Sequence, residues 1–280
     1  MKLACRDRLL DLSEPCVMGV LNVTPDSFAD GGRYTGAAAA VERGVAMAGE
    51  GAAIIDVGGE STRPGAADVD VDEELARVVP VIEQLVVRVA VPISVDTSKP
   101  EVMRAAIAAG ASLVNDVKAL QVPGALAAVA ETGAAVCLMH MQGEPRTMQV
   151  APSYADVVAD VRRFLATRVE ACLAAGIGRE RICVDPGIGF GKSAEHNLAL
   201  LAAIDRLAEP GLPVLIGVSR KSLVGIITGR PPEGRLAGSV AFAALAVMGG
   251  AAIIRAHDVA ETLDAVKVAS ALKCAASGGE

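Results

Sequence analysis

Aromatic residues are scarce in this sequence, which contains no Trp, 2 Tyr and 4 Phe among its 280 residues. Because 52% of the residues are nevertheless hydrophobic, the core must be built mainly from Ala, Val, Leu and Ile. A chain of this length can bury a large core of such side chains. This composition is typical of a parallel β-sheet covered by helices.

Cysteine pairs and histidine clusters are also lacking. The six cysteines lie singly at positions 5, 16, 137, 172, 183 and 274, no C-x-x-C pair occurs, and there are only three histidines. This pattern indicates neither a zinc site nor a disulfide framework. We therefore expect reduced thiols and a cytoplasmic location.

Signals for nucleic acid, secretion and membrane insertion are missing too. The net charge is −7, and no basic stripe with interleaved aromatic residues occurs, so we expect no nucleic-acid partner. The N-terminus, MKLACRDRLL, is interrupted by charge and lacks the apolar segment of a secretion signal. The longest apolar run, 240–254, contains adjacent glycines and is too short to span a bilayer. We expect no membrane partner, and any anionic ligand must be held locally.

What the sequence does contain is a regular alternation of short apolar runs and amphipathic or Ala-rich segments. The runs predict eight strands, at 17–21, 54–57, 93–95, 113–114, 135–139, 182–184, 214–217 and 253–255. The intervening segments predict helices at 36–50, 71–88, 100–109, 124–131, 154–175, 194–207, 236–248 and 259–272.

This alternation predicts a single-domain (β/α)8 barrel, the TIM barrel of the α/β class. No linker divides the chain, so the domain is expected to cover 1–280, with a short N-terminal extension (about 1–16) and a C-terminal tail (about 275–280). An open doubly wound sheet is the alternative, disfavoured because no G-x-G-x-x-G motif opens the first unit.

Polar residues follow every predicted strand. They are Asn22, Gly58 to Arg63, Asp96-Thr97, Asn115-Asp116, His140, Asp185, Ser219 to Lys221, and Arg255 with His257. Any one of them alone could be a turn former or a helix cap, as Asp96-Thr97-Ser98 before Lys99-Pro100 illustrates. In a barrel, however, these strand ends converge on one face, where such enzymes carry their chemistry.

The most distinctive of these strand ends is ICVDPGIGFGK, residues 182–192. A β-branched run passes into Asp185, a proline and three glycines, and the glycines allow the backbone to approach a flat or anionic ligand closely. A lone Asp-Pro-Gly would most simply be a turn. The recurrence of polar strand ends along the chain favours a binding site.

The residue types predict a mixed pocket. Asp96, Asn115 and Asp185 can pair with a ring that carries adjacent N–H donors. Cationic donors come from Lys221 and Arg255, and an arginine can also stack on a flat ring. Phosphate oxygens and a hard cation would suit Asn22, Arg63, Arg255 and His257. Two segments rich in Gly, Pro and small polar residues, 24–35 and 61–70, are predicted to be mobile loops over the pocket.

These strings resemble one family over nearly the whole chain. They are MGVLNVTPDSFADGG (18–32), IIDVGGESTRPGA (54–66), ISVDTSKP (93–100), VNDV (114–117), MHMQG (139–143), DPGIGFGK (185–192), GVSRKS (217–222) and IIRAHDV (253–259). In this order they resemble the dihydropteroate synthases of folate biosynthesis. Small departures, Ala29 and Lys118-Ala119, fall at positions to which no chemistry is assigned.

The resemblance implies a transferase of a pterinylmethyl group. It would join (7,8-dihydropterin-6-yl)methyl diphosphate to p-aminobenzoate, the substrate that sulfonamides mimic, giving 7,8-dihydropteroate and diphosphate. The resemblance also implies Mg²⁺ as cofactor. Departing charge would be stabilised by Mg²⁺ and cationic side chains, while the electron-rich dihydropterin carries the positive charge left on the methylene.

The resemblance also implies roles for individual residues. By similarity, the pterin would be bound by Asp96, Asn115, Asp185, Lys221, Arg255 and Met139, of which Lys221, Arg255, Asp96 and Asp185 are also the expected catalytic residues. The diphosphate would be bound by Asn22, Arg63, Thr62, Arg255 and His257, with Asn22 as the Mg²⁺ ligand. The p-aminobenzoate pocket would be formed by Phe28, Asp30, Thr62, Pro64, Phe190, Lys221 and Ser222.

Two other functions remain open from the sequence alone. Lys221 at a strand end could be the nucleophile of a Schiff-base aldolase. The chain could also be a pterin-binding domain of the corrinoid methyltransferase type, although such a domain would not need the SFADGG segment or Ser222. Ala- and Val-rich faces on the late helices favour a homodimer. His196 is expected to be a surface or cap residue, and His140 is as readily structural as functional.

Overall fold

The structure is a computed structural model that describes residues 1–24, 33–61, 68–144, 147–208 and 211–277. Its strands are β1 (Lys2–Cys5), β2 (Arg8–Asp11), β3 (Cys16–Asn22), β4 (Ile54–Gly58), β5 (Ile93–Asp96), β6 (Leu113–Asp116), β7 (Ala135–Met139), β8 (Ile182–Asp185), β9 (Leu215–Gly217) and β10 (Ile253–Ala256). Its helices are α1 (Arg33–Gly49), α2 (Val71–Arg88), α3 (Pro100–Ala108), α4 (Ala125–Ala130), α5 (Val157–Ala174), α6 (Ala194–Leu201), α7 (Ser222–Thr228), α8 (Leu236–Met248) and α9 (Val259–Ser277).

Strands β3 to β10 form an eight-stranded parallel sheet that curls into a barrel. Neighbouring strands follow the order β8-β7-β6-β5-β4-β3-β10-β9. A parallel bridge between Val184 and Val214 joins the two edges, and the Val184 amide donates to the Pro213 carbonyl at 3.0 Å. The predicted TIM barrel is therefore confirmed.

Local sequence explains where several helices begin. The Asp70 side chain accepts from the Glu73 amide at 2.7 Å and caps α2, and Asp156 caps α5 in the same way. Pro100 begins α3, where its missing N–H costs no hydrogen bond. Helix α7 was not predicted, because it is short and lies directly behind the polar Ser219 to Lys221 segment.

The barrel has two apolar cores because strand side chains alternate between its faces. Outward residues such as Val17, Ile55 and Val95 pack against the helices. Inward residues at the N-terminal ends of the strands, including Met18 and Ile54, form a separate buried cluster inside the barrel. The C-terminal ends of the strands lie beyond this inner cluster and carry the polar side chains.

The N-terminal hairpin covers the opposite end of the barrel from those polar side chains. Strands β1 and β2 pair antiparallel, and Leu3 and Cys5 are fully buried in the inner apolar cluster. Arg6 donates to the Ile107 carbonyl at 2.8 Å, and Arg8 donates to the Val91 carbonyl at 2.7 Å, which ties the hairpin to segments that precede β6 and β5. The sequence predicted only a short extension here. No helix in the described part of the chain is long and apolar enough to cross a membrane.

Leu3→Ala should lower the free energy of unfolding by roughly 2–5 kcal/mol, because it removes a fully buried side chain from the closed end of the barrel. Leu9 lies on the same hairpin and is 60% exposed. Leu9→Ala should change stability by no more than about 0.5 kcal/mol. Urea denaturation compares the two variants, and equal losses would contradict the assigned role of the hairpin.

Candidate active site

Strand register brings the polar side chains together at the C-terminal end of the barrel. Asn22 is paired with Gly58, Gly58 with Asp96, and Asp96 with Asn115, so these four positions run side by side across β3 to β6. On the other side of the barrel, Asp185 is paired with Met139. Residues separated by more than 160 positions in sequence therefore line one pocket.

Arg255 occupies one half of this pocket and is held by two carboxylates. Its Nε lies 2.7 Å from Asp56 Oδ2, and its Nη2 lies 2.7 Å from Asp96 Oδ2. The Asn115 amide also donates to Asp56 Oδ2, at 3.0 Å. Three predicted site residues, Arg255, Asp96 and Asn115, are thus joined in one hydrogen-bonded group through a residue that was not predicted.

Asp56 is the residue that sequence reasoning missed. It is fully buried, and its Oδ1 has no hydrogen-bond partner among the described residues. It lies two positions before the end of β4, inside IIDVG, whereas the site candidates were the last residues of the strands and the residues just beyond them. A carboxylate inside an otherwise apolar buried strand was the available signal, because burying it is costly without a partner.

Burial and neighbouring charges shift the pKa values of Asp96 and Arg255 in opposite directions. Burial raises the pKa of Asp96 from 3.8 to about 7, although the Arg255 guanidinium opposes the rise. Burial alone would lower the pKa of Arg255, but the carboxylates of Asp56 and Asp96 reverse this and raise it above its ordinary value. Arg255 therefore stays charged, while Asp96 can change protonation near neutral pH.

Asp185 and Lys221 form the other half of the pocket. Asp185 is 6% exposed, and its Oδ1 accepts from the Gly187 amide at 2.6 Å. Burial raises the pKa of Asp185, and the charge of Lys221 opposes this rise. Burial likewise lowers the pKa of Lys221 to about 8, against the attraction of Asp185.

The same lysine lies beside predicted p-aminobenzoate residues. Its ammonium is 4.7 Å from the centre of the Phe190 ring and donates to the Ile188 carbonyl. Ser222 follows it as the first residue of α7. Phe190, Lys221 and Ser222 are therefore adjacent. The remaining predicted members of that pocket, Phe28, Asp30, Thr62 and Pro64, lie outside the described residues.

The predicted diphosphate residues are described only in part. Asn22 is at the end of β3, next to Gly58. His257 follows β10, and its Nδ1 lies 3.1 Å from Ser219 Oγ. Arg63 and Thr62 lie outside the described residues.

A Mg²⁺ ion fits this end of the pocket as a metal held mainly by substrate. Among the described residues, no group of three or more His, Cys, Asp or Glu side chains could hold a metal. Asn22 offers a single amide oxygen. Mg²⁺ commonly keeps several waters and is bound through one or two protein groups plus substrate phosphates, so one protein oxygen suits a metal that arrives with a diphosphate.

The two uncertain histidines have identifiable positions. His196 exchanges hydrogen bonds with Ser193 in a capping box at the start of α6, so the prediction of a cap residue is confirmed. His140 is buried directly after β7, where its ring packs edge-on against Phe164 at 4.9 Å and contacts Lys192. Neither ring is among the groups that line the pocket described above.

Known proteins resemble this chain throughout its length. Residues 18–257 match the family described as "Pterin binding enzyme". The dihydropteroate synthase of Escherichia coli K12 is 54% identical over 271 residues, which cover 97% of this chain and 96% of that protein.

Solved structures give the same result. A Xanthomonas albilineans dihydropteroate synthase with 4-aminobenzoic acid is 56% identical, with a TM-score of 0.92 and coverage of 97% of this chain and 98% of that one. The same enzyme in complex with 7,8-dihydropteroate is 53% identical, with a TM-score of 0.89 and coverage of 98% and 99%. These likenesses favour the main prediction over the aldolase and corrinoid alternatives. The chain belongs to the dihydropteroate synthase family of pterin-binding enzymes.

Proposed function

We infer that this chain condenses (7,8-dihydropterin-6-yl)methyl diphosphate with p-aminobenzoate, giving 7,8-dihydropteroate and diphosphate. The observation that carries the inference is the joining of Asp96, Asn115 and Arg255 on one side of the pocket, opposite Asp185 and Lys221 on the other. Relatives that are more than half identical and share this fold are dihydropteroate synthases. Small molecules are thus its substrates.

The direct test is an assay with both substrates that follows 7,8-dihydropteroate and diphosphate together. We expect the two products in equal amounts, with a rate that rises when Mg²⁺ is added. Omitting p-aminobenzoate should abolish 7,8-dihydropteroate formation. Absence of this product under all conditions would overturn the proposed function.

The pterin ring is proposed to lie between the two halves of the pocket. Asp185 would accept from ring N3–H and the 2-amino group, since an ionised carboxylate has two oxygens for adjacent donors. Lys221 would donate to O4 and N5. Asn115 would contact the 2-amino side and Asp96 would contact N8, while Met139, 4% exposed and paired with Asp185, would form part of the wall.

The diphosphate is proposed to lie toward Asn22, Arg63, Thr62, Arg255 and His257. Mg²⁺ would be held by the Asn22 side-chain oxygen and the diphosphate, and when bound it would neutralise charge on the departing group. Arg255 would stack on the pterin ring and reach the diphosphate. Because Asp56 and Asp96 already orient its guanidinium, this donor needs little rearrangement when charge develops.

The reaction then needs no protein nucleophile. The bond between the methylene carbon and the diphosphate oxygen breaks, and the bonding electrons leave with the diphosphate. The dihydropterin ring shares the positive charge left on the methylene. The p-aminobenzoate nitrogen forms the new bond and releases its extra proton to water. Phe190, Lys221 and Ser222, together with Phe28, Asp30, Thr62 and Pro64, are proposed to hold the arylamine for this attack.

A homodimer is proposed from the exposed apolar residues of three late helices. Six of the twelve exposed large hydrophobic residues in the described structure lie on α7, α8 and α9, which follow one another around the barrel: Ile226, Ile227, Leu245, Met248, Val268 and Leu272. Apolar residues concentrated on one side of a protein mark an interaction surface, and a second copy of the chain presents the same surface in return. We also propose a cytoplasmic location, where the free cysteines of the chain stay reduced.

Leu245→Glu should convert the dimer to a monomer, because it places a charge within this apolar surface. Val87, which is 83% exposed on α2, provides the control, and Val87→Glu should remain dimeric. Sedimentation equilibrium at micromolar chain concentration compares both variants with the parent protein. A monomeric parent, or equal effects of the two substitutions, would contradict the proposed dimer surface.

Asp185→Asn should weaken binding of a pterin analogue at least about tenfold, because a carboxylate with two acceptor oxygens becomes an amide and one ring donor loses its partner. Calorimetry measures the dissociation constant. Asp205 is an exposed carboxylate outside the pocket, and Asp205→Asn should leave that constant unchanged. An unchanged constant in Asp185→Asn would remove Asp185 from the pterin site.

A further inference from the structure

Lys192 ends the glycine-rich segment after β8 and has no part in the proposed reaction. It is 3% exposed, which is unusual for a lysine. Its Nζ lies 3.0 Å from His140 Nδ1, 3.2 Å from the His140 carbonyl oxygen and 2.9 Å from the Phe190 carbonyl oxygen. The amine is therefore enclosed between the end of β7 and the loop that follows Asp185.

These three contacts match the charged form of the lysine. An ammonium has three N–H donors and no acceptor, and all three neighbours can accept a hydrogen bond. For His140 this requires an unprotonated Nδ1, which places the proton of the neutral ring on Nε2. Burial and the charge of Lys192 lower the pKa of His140 to about 3, in agreement with a neutral ring.

The loop held by Lys192 is the one that supports Asp185. The Gly187 amide donates to Asp185 Oδ1 at 2.6 Å, and the His140 amide donates to the Asp185 carbonyl at 3.0 Å. The loop backbone also lies directly against His140, since a Cβ at Gly187 would be only 1.9 Å from the His140 carbonyl oxygen. A small displacement of His140 or the loop would therefore move the donor to Asp185.

We propose that Lys192 is a positioning residue for the pterin site, whose buried ammonium fixes the 186–191 loop against His140 and favours the ionised form of Asp185. The proposal rests on the proposed function, in which Asp185 binds the pterin as a carboxylate. It gives His140 a role as well, since the histidine supplies two of the three acceptors that hold the charge.

The charged groups around Asp185 and Lys192 determine the pH range in which the influence of Lys192 on Asp185 can be measured. Asp185 faces Lys221 from the loop after β9 and Arg255 from β10 as well as Lys192, and all three cations favour its ionised form. Burial lowers the pKa of Lys192 itself to about 7, with Asp185 opposing and Lys221 adding to the decrease. The ammonium therefore predominates below about pH 7, and Asp185 begins to take up its proton at a higher pH than an exposed aspartate does.

The test is the pH dependence of pterin-analogue binding, measured by calorimetry from about pH 5 to about pH 8. In the parent protein, affinity should fall on the acid side as the two pterin-site carboxylates, Asp96 and Asp185, are protonated. Lys192→Met removes the charge, so Asp185 should take up its proton more readily, and the acid fall should move to higher pH. Lys192→Gln retains two N–H donors without the charge and should show the same shift.

Lys118→Met is the matched control, because it removes a more exposed lysine from the loop after β6 at the same end of the barrel. Its acid fall should coincide with that of the parent protein. Thermal unfolding first establishes that both Lys192 variants are folded. If the pH dependence of their pterin-analogue affinity then equals that of the parent protein, the proposal is overturned. The proposed function fails separately, if the parent protein does not bind the pterin analogue or if Asp185→Asn binds it as tightly as the parent protein does.

Discussion

The pocket depends on the placement of one buried guanidinium between two carboxylates. Arg255 comes from β10, while Asp56 and Asp96 come from β4 and β5, so the two ion pairs join strands that are not neighbours around the barrel. A buried charge is tolerated only when it is paired and hydrogen-bonded, and removing one partner of such a pair leaves an uncompensated charge. The side chains of Arg255, Asp56 and Asp96 all point into the barrel, and this shared orientation allows them to pair.

The second half of the pocket repeats this pairing with different residues. Asp185 lies among the cations Lys221 and Lys192, which come from separate loops. Burial raises the pKa of Asp185 and lowers the pKa of both lysines, so it favours the neutral form of all three groups. Each half of the pocket contains both positive and negative side chains. The pocket therefore offers hydrogen-bond donors and acceptors without a large net charge. A flat ligand with both kinds of group is thus favoured over a simple anion in this half of the pocket.

Sequence reasoning predicted the barrel, and it predicted that polar residues would gather at the C-terminal ends of the strands, for a physical reason. Parallel strands buried on both faces appear as continuous apolar runs, and a polar residue just after each run is easy to recognise, as for Asn22, Asp96 and Asp185. The same continuity hid Asp56, because a run with no alternation gives no indication of which residues face inward. The β1–β2 hairpin was not predicted because its charged residues alternate with the buried Leu3 and Leu10 and leave no apolar run. The contact of Lys192 with His140 joins two distant loops, so no local sequence pattern indicates it.

The stability of Arg255→Met as a function of pH tests most directly whether the pocket depends on the pairing of Arg255 with the two carboxylates. Burial already raises the pKa of Asp96 from 3.8 to about 7, and loss of Arg255 should raise it further. A raised native-state pKa destabilises the fold from the unfolded-state pKa upward, and the loss grows until the pH passes the native-state pKa, so the extra loss in the variant appears only above about pH 7. The variant should therefore be less stable than the parent protein by about 3 kcal/mol or more at about pH 8.5, and by clearly less at about pH 5.5. Arg220→Met, which breaks a more exposed pair with Asp258, should cost no more than about 1 kcal/mol at either pH. A small, pH-independent loss in Arg255→Met, equal to that of Arg220→Met, would contradict the central role of this ion pair.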